Sequence, residues 1–401
     1  MDPVARQYED LPYPERDPED ERRRLILGSP SHPVEMDHCL WGGRRDWSRP
    51  LRVLVAGGGT GDGLIQLAAV MAGAGCAADI TYLDLSQAAR TVAEARAQVR
   101  GLTGIRFETA SLLDAPDLGR FDYIDCCGVI HHLPDPAAGL AALETALAPG
   151  GGIGLMVYAP LGRSGVYPLQ QAFGALLDGL SPKDKVARAR EILARLLPGH
   201  PFRTNPNLVD HEQGDAGFHD LLLHSRDRAY AIDEIAGMLE AAGLGVIRPA
   251  LPALYDPAAF VGGLPVPSAP LARMALAERL RGDIKTHVLY AGRTDATLPV
   301  PDPADMALIP HLRAPAAALA QAVRRDGRVS VTLGSERRGM AVDRSAAAVL
   351  ERIDGRTSLA GLAAALRLDP VAFAAIWRPV WRALEPLGLL QASGLMARGR
   401  R

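Results

Sequence analysis

Cysteine is scarce, with four in 401 residues. Cys126 and Cys127 are neighbours inside one apolar run and cannot pair with each other in ordinary geometry. Cys39 and Cys76 have no CxxC or HxxxH company. A disulfide framework and a cysteine-ligated metal centre are thereby set aside, and no metal is expected. Lysine is scarcer still: Lys183, Lys185 and Lys285 are the only lysines among 44 basic residues. Arginine is the default cation throughout, so a single arginine marks nothing by itself. Long apolar runs are absent, and the opening MDPVARQYEDLPYPERDPEDERRR lacks the apolar core of a signal peptide. The expectation is a cytoplasmic protein without a membrane segment. The charges nearly cancel, at −2 net, which removes any bulk attraction to nucleic acid or anionic membrane.

What is present is apolar sequence in quantity, 48% of the chain, enough for two or three domains at this length. Leu51 to Gly63 reads LRVLVAGGGTGDG. An apolar run entering a glycine cluster predicts a buried parallel strand, a tight turn and a helix. Gly57, Gly59 and Gly61 have GxGxG spacing, and the nicotinamide fingerprint GxGxxG fails because its third position is Asp62. Glycine here lets the backbone approach a ligand that a Cβ would keep away. A second strand, ADITYLDLS, carries Asp84 at its tip, where a carboxylate can accept both ribose hydroxyls of a nucleoside. Further strands follow as IRFETAS, FDYIDCCGV running into HHLPDP, and GGIGLMVY after the turn LAPGG. Helices are predicted from Ser86 to Arg100 and from Ala137 to Leu147, the second capped by Asp135 ahead of Pro136.

The glycine turn, the acidic tip of the second strand and the run from the fourth to the fifth strand resemble the class I S-adenosylmethionine-dependent methyltransferases. The resemblance is close over about residues 51–160 and looser to about 294. It implies an α/β, Rossmann-like fold: a seven-stranded, mostly parallel sheet with helices on both faces and the last strand antiparallel. It implies S-adenosylmethionine as cofactor, with Gly57, Gly59 and Gly61 near the methionine part. It places Asp84 and Leu85 at the ribose, the Ala110–Ser111–Leu112 segment beside the adenine, and Gly128 in the wall after the fourth strand. Two positions depart from the pattern. Val55 stands where the family often has an acidic residue, so the methionine amino group must find another partner. Ser111 stands where an aspartate often contacts the adenine amino group.

Around this core the chain divides into a leader over 1–50, a methyltransferase domain over 51–294 with a helical insertion at 161–229, a Pro-rich linker over 295–311 and a compact unit over 312–395. The leader carries one predicted helix, Asp17 to Leu27, and either closes the cofactor mouth as a lid or packs on the sheet edge. The last unit reads as helix, hairpin and three helices, with LLQAS as a closing strand. DGRTSLAGLAAAL and the helix after it resemble small winged-helix accessory modules. From Pro301 on there are 15 Arg and 9 acidic residues, a balance that could suit nucleic acid or an acidic peptide. Since arginine is the default cation throughout, protein contacts or dimerisation are the favoured reading, and a homodimer is compatible with it. A chain ending near Arg293 is expected to fold alone.

Methyl transfer from a sulfonium asks the protein to position an acceptor and to take up its proton. His131 and His132 follow the fourth strand, where either could be a base or could simply shape the loop. Tyr158 ends the fifth strand and points to the acceptor or into the core. The segment HDLLLHSRDRAY brings His224, Arg226 and Arg228, which could grip a carboxylate or phosphate, or brace a loop. There is no Asp/Asn-Pro-Pro-Tyr after the fourth strand and no Pro-Cys nucleophile, which leaves a small molecule, a lipid, a peptide or a protein as acceptor. A catalytically silent regulator that binds S-adenosylmethionine is the alternative, and an NAD oxidoreductase the more distant one.

Overall fold

The computed structural model describes residues 3–296 and 298–395. Its centre is a sheet of seven strands: β1 (Leu51–Ala56), β2 (Ala78–Asp84), β3 (Ile105–Thr109), β4 (Phe121–Cys127), β5 (Leu147–Tyr158), β6 (Leu244–Pro249) and β7 (Thr286–Arg293). Their order is β3-β2-β1-β4-β5-β7-β6, and β7 alone runs antiparallel to its neighbours. The apolar content of β1 and β4 follows from position, since central parallel strands are covered on both faces.

Helices α1 (Pro3–Asp10) and α2 (Pro33–Leu40) precede the sheet. α3 (Asp62–Ala74), α4 (Gln87–Val99) and α5 (Pro136–Ala146) alternate with its strands. Ser86 caps α4 through Ala89 N–H, and Asp135 caps α5 through Ala138 N–H at 3.1 Å with Pro136 in the first turn, as expected of these residue types. The insertion holds α6 (Val166–Leu176), α7 (Pro182–Ala194), α8 (Pro201–Thr204) and α9 (Gly214–Leu222). These close on a core of their own that includes Phe173, Phe202 and Phe218. The sheet is completed by α10 (Ile232–Ala241), α11 (Ala258–Val261) and α12 (Pro270–Arg281).

Beyond it come β8 (Pro310–Leu312), α13 (Ala316–Asp326), the hairpin β9 (Arg328–Leu333) and β10 (Glu336–Ala341), then α14 (Ala347–Leu350), α15 (Leu359–Ala365), α16 (Pro370–Leu384) and β11 (Leu390–Ala392), which pairs with β8. These bury a separate core around Phe373, Trp377 and Trp381. The C-terminal elements also dock on α2. Glu35 accepts from Arg313 and Gln391, Asp37 accepts from Ser393 and Gly394, and His38 meets Glu385. Among the described residues no single helix is long and apolar enough to cross a membrane.

The leader departs from expectation. In place of a helix over Asp17 to Leu27 there is a single 3-10 turn, Pro18–Arg22, capped by Asp17. Glu21 turns inward and is gripped by Arg96 and Arg100 of α4 and its C-cap. That buried pairing ties the segment to the sheet layer and overrides its local helical preference.

Candidate active site

In an open α/β sheet, ligands bind beyond the carboxyl ends of the strands where the strand order reverses. Here that point lies between β1 and β4, and a cavity of about 400 Å³ opens there. Gly57, Gly58 and Gly59 line it at the end of β1. Gly57 has φ 71°, and a Cβ on it would fall 2.2 Å from Val129 Cγ2, so glycine is required there by both conformation and space. Asp84 lies at the tip of β2 and accepts Gly59 N–H at 2.8 Å and Ser86 N–H at 2.9 Å, one on each oxygen. Each oxygen keeps a further lone pair for a ligand hydroxyl. Burial pushes this carboxyl above its usual range, and the backbone hydrogen bonds oppose that rise. Leu85, Ala110, Leu112 and Gly128 complete this half of the wall.

The other half is built from distant segments. Val4, Ala5 and Tyr8 of α1 line the cavity beside His132, Tyr158, Asp220 and Arg226. The rest of the leader is strapped over the glycine turn. Arg16 forks onto Asp62 at 2.6 and 2.9 Å, and Thr60 donates to Pro14 O at 2.7 Å. Asp220, on α9, is almost wholly buried and accepts from two tyrosines, Tyr8 at 3.0 Å and Tyr158 at 3.3 Å. Burial foremost, with Asp227 adding to it, pushes its pKa up to about 7. Arg163 lies 3.6 Å over the Tyr158 ring and is held by Asp227 at 2.9 Å.

Residues 54–153 match the family described as a methyltransferase domain. This stretch carries a methyltransferase domain. Over 200 residues the chain is 38% identical to an uncharacterized protein of Synechococcus sp., covering 48% of this chain and 47% of that one. Over 94 residues it is 33% identical to the ubiquinone biosynthesis O-methyltransferase of Azotobacter vinelandii, covering 23% of this chain and 39% of the relative. The chain thus spans about half, or less, of the curated relatives it matches. Among solved structures, PKMT2 from Rickettsia typhi in complex with AdoHcy shares the fold, with TM-score 0.65 and 16% identity over 90% of this chain and 75% of that one.

The methyltransferase domain has S-adenosylmethionine as its cofactor, and the residues present fit it. Glycines without Cβ lie under one end of the cavity, the carboxylate of Asp84 stands at the tip of β2 as an acceptor for hydroxyls, and the apolar Leu85, Ala110 and Leu112 line the wall beside it. Not every residue expected at the cofactor touches this cavity. Gly61, at φ 98°, starts α3, and a Cβ there would sit 3.0 Å from Ala93 Cβ, so it serves helix packing. Ser111 spends its hydroxyl as a helix cap on Leu113 N–H, in a capping box with Asp114; Ala110 and Leu112 of the same segment line the cavity.

In this half, His132 and Tyr158 line the cavity, whereas His131 lies behind Tyr158 with ring centroids 4.1 Å apart. Both ring nitrogens of His131 lack hydrogen-bond partners among the described residues, and burial holds its pKa well below the usual value. The loop turns its ring inward, away from the cavity lining. Arg228 is likewise displaced. Its side chain is largely exposed, paired with Glu234 and set over Tyr230, so no Arg226–Arg228 pair faces a ligand. His224 stacks on His132 at 3.9 Å, one layer back.

The tautomers follow from the hydrogen bonds. His132 Nδ1 lies 2.8 Å from Arg226 O and must donate to that carbonyl, which leaves Nε2 as the lone-pair nitrogen. His224 Nδ1 accepts Arg226 N–H at 3.0 Å, so its Nε2 carries the proton and donates to Tyr8 Oη, whose own proton points to Asp220. The donor atoms of His132, Asp220 and His224 lie within 4.8 Å of one another, but this pattern commits the His224 Nε2 lone pair to a proton rather than to a metal. Tyr8 and Asp220 were the residues that sequence reasoning missed as site residues. Asp220 did leave a signal, as a carboxylate inside the apolar helix FHDLL.

Proposed function

We propose that the chain is an S-adenosylmethionine-dependent methyltransferase acting on an acceptor that carries its nucleophile as O–H or N–H. One observation carries this reading: a buried carboxylate poised near neutrality, bridged by two tyrosine hydroxyls, opens into the same cavity as the glycine turn and Asp84. Bound S-adenosylmethionine supplies an already activated methyl group. The chain's task is to orient the acceptor and accept its proton. Tyr158 is placed to take that proton on Oη while passing its own to Asp220, so one proton enters the pair and one carboxylate becomes neutral. His132 Nε2 is a hydrogen-bond acceptor on the same wall and can orient the acceptor's X–H, and Arg226 lies beside it. Burial lowers the pKa of His132, which keeps it neutral for that task and makes Asp220 the better base near pH 7. The α1 helix closes this end, which favours a small molecule or a slender side chain of a peptide or protein. A hydroxyl acceptor is the first to try, since an O-methyltransferase is among the relatives.

The test is turnover. Purified protein, S-adenosylmethionine and a panel of phenols, amines and fractionated cell extract should yield S-adenosylhomocysteine and a product heavier by about 14 Da, the mass of one transferred methylene equivalent. Tight cofactor binding with no S-adenosylhomocysteine formed from any fraction would favour the silent regulator instead.

A further inference from the structure

Resting on the cofactor assignment, we infer that Asp125 holds the ammonium of the methionine moiety, supplying from β4 the carboxylate that Val55 does not supply from β1. The register places Val55 and Asp125 side by side on adjacent parallel strands. Residues paired in this way project to the same face of the sheet. On that face Asp125 lines the cavity with Ser31, Gly63 and Gln66.

Asp125 is only 2% exposed, and its Oδ2 has no hydrogen-bond partner among the described residues. A buried carboxylate is normally paired with a cation or fully hydrogen-bonded. Among the described residues the hydroxyl of Ser31 alone favours its charged form, and burial pushes its pKa up to about 6. A ligand ammonium completes such a site. The space for it is built in. Gly63 stands in the first turn of α3, and a Cβ there would lie 2.9 Å from Asp125 Oδ2 and 2.6 Å from Ser31 Oγ. Ser31 itself is fixed through its neighbour: Tyr123 and Tyr290 both donate to Pro30 O, at 2.8 and 3.0 Å. The fold therefore holds a carboxylate, a hydroxyl and an opening in place, with no cation paired to that carboxylate among the described residues.

Calorimetry with two ligands separates this inference from the reading beneath it. S-Adenosylhomocysteine carries the ammonium, whereas 5′-methylthioadenosine has the same nucleoside and thioether without the amino acid. Asp125→Asn is isosteric and should weaken S-adenosylhomocysteine by about 10- to 100-fold, the range for a hydrogen bond to a charged group, while leaving methylthioadenosine within about twofold, the scatter of a site that has lost no contact. Ser31→Ala, a milder change, should shift the two ligands in the same unequal way. Unchanged S-adenosylhomocysteine affinity in Asp125→Asn would overturn the inference. So would equal loss of both ligands in a variant whose melting temperature is intact. Wild-type protein that takes up neither ligand would overturn the cofactor assignment, and this inference with it.

Discussion

Two aspartates embedded in apolar sequence, Asp125 in FDYIDCC and Asp220 in FHDLL, carry most of the chemistry argued above. If Asp220 is the terminal proton acceptor, the working form is ionised. With its pKa near 7, the ionised fraction falls as pH drops through that value. Turnover should then rise with pH across about 6 to 8 and level off above. Asp220→Asn should lose that limb and lower kcat by about 10²- to 10⁴-fold, the usual worth of general-base catalysis, with cofactor affinity preserved. A pH profile of kcat for both proteins decides it, and an unchanged limb in the variant would assign it to another group. Ser111 gives the converse case. Its hydroxyl caps a helix, so Ser111→Ala should cost about 1 kcal/mol of stability and leave S-adenosylmethionine affinity where it was, as thermal melts and calorimetry would show.

At the scale of elements, the glycine turn, the alternation of strands and helices and the caps Ser86 and Asp135 were legible because each is a local pattern with a local cause. The acceptor side was not. Tyr8 and Asp220 meet across 212 positions of sequence, and nothing at either end announces the other. The same holds for the leader, where Glu21 finds Arg96 and Arg100 only after the sheet has formed. His131 and His132 are adjacent and chemically identical, and the loop's turn alone decides which ring reaches the cavity. The α1 helix lends itself to a direct test. It adds Val4, Ala5 and Tyr8 to the wall, apolar contact of about 1–2 kcal/mol by buried area. A chain beginning at Pro12 should therefore release S-adenosylhomocysteine about tenfold faster. Stopped-flow displacement would measure this, and an unchanged rate would show that α1 is a bystander to the ligand.

At the scale of the whole molecule, the Pro-rich break near 299–310 suggests a detachable C-terminal unit, but the polar contacts around α2 argue otherwise. Glu35, Asp37 and His38 are buried and draw Arg313, Gln391, Ser393, Gly394 and Glu385 from beyond the break. Ending the chain at Arg293 strips these partners, at about 1–3 kcal/mol for each buried group left unpaired. That shortened protein should melt well below the full chain or aggregate, and a matching melting temperature would show that the docking contributes nothing.

The same docking reaches the cavity. Arg313 contacts both Ser29 and Glu35, and Ser29 begins the short segment that presents Ser31 to Asp125. Two binding events that share one ordered segment are thermodynamically linked, and the linkage runs equally in both directions. Filling the cofactor cavity should therefore slow amide hydrogen exchange at β11, and anything that pulls Arg313 from its place should loosen the cofactor by the same factor.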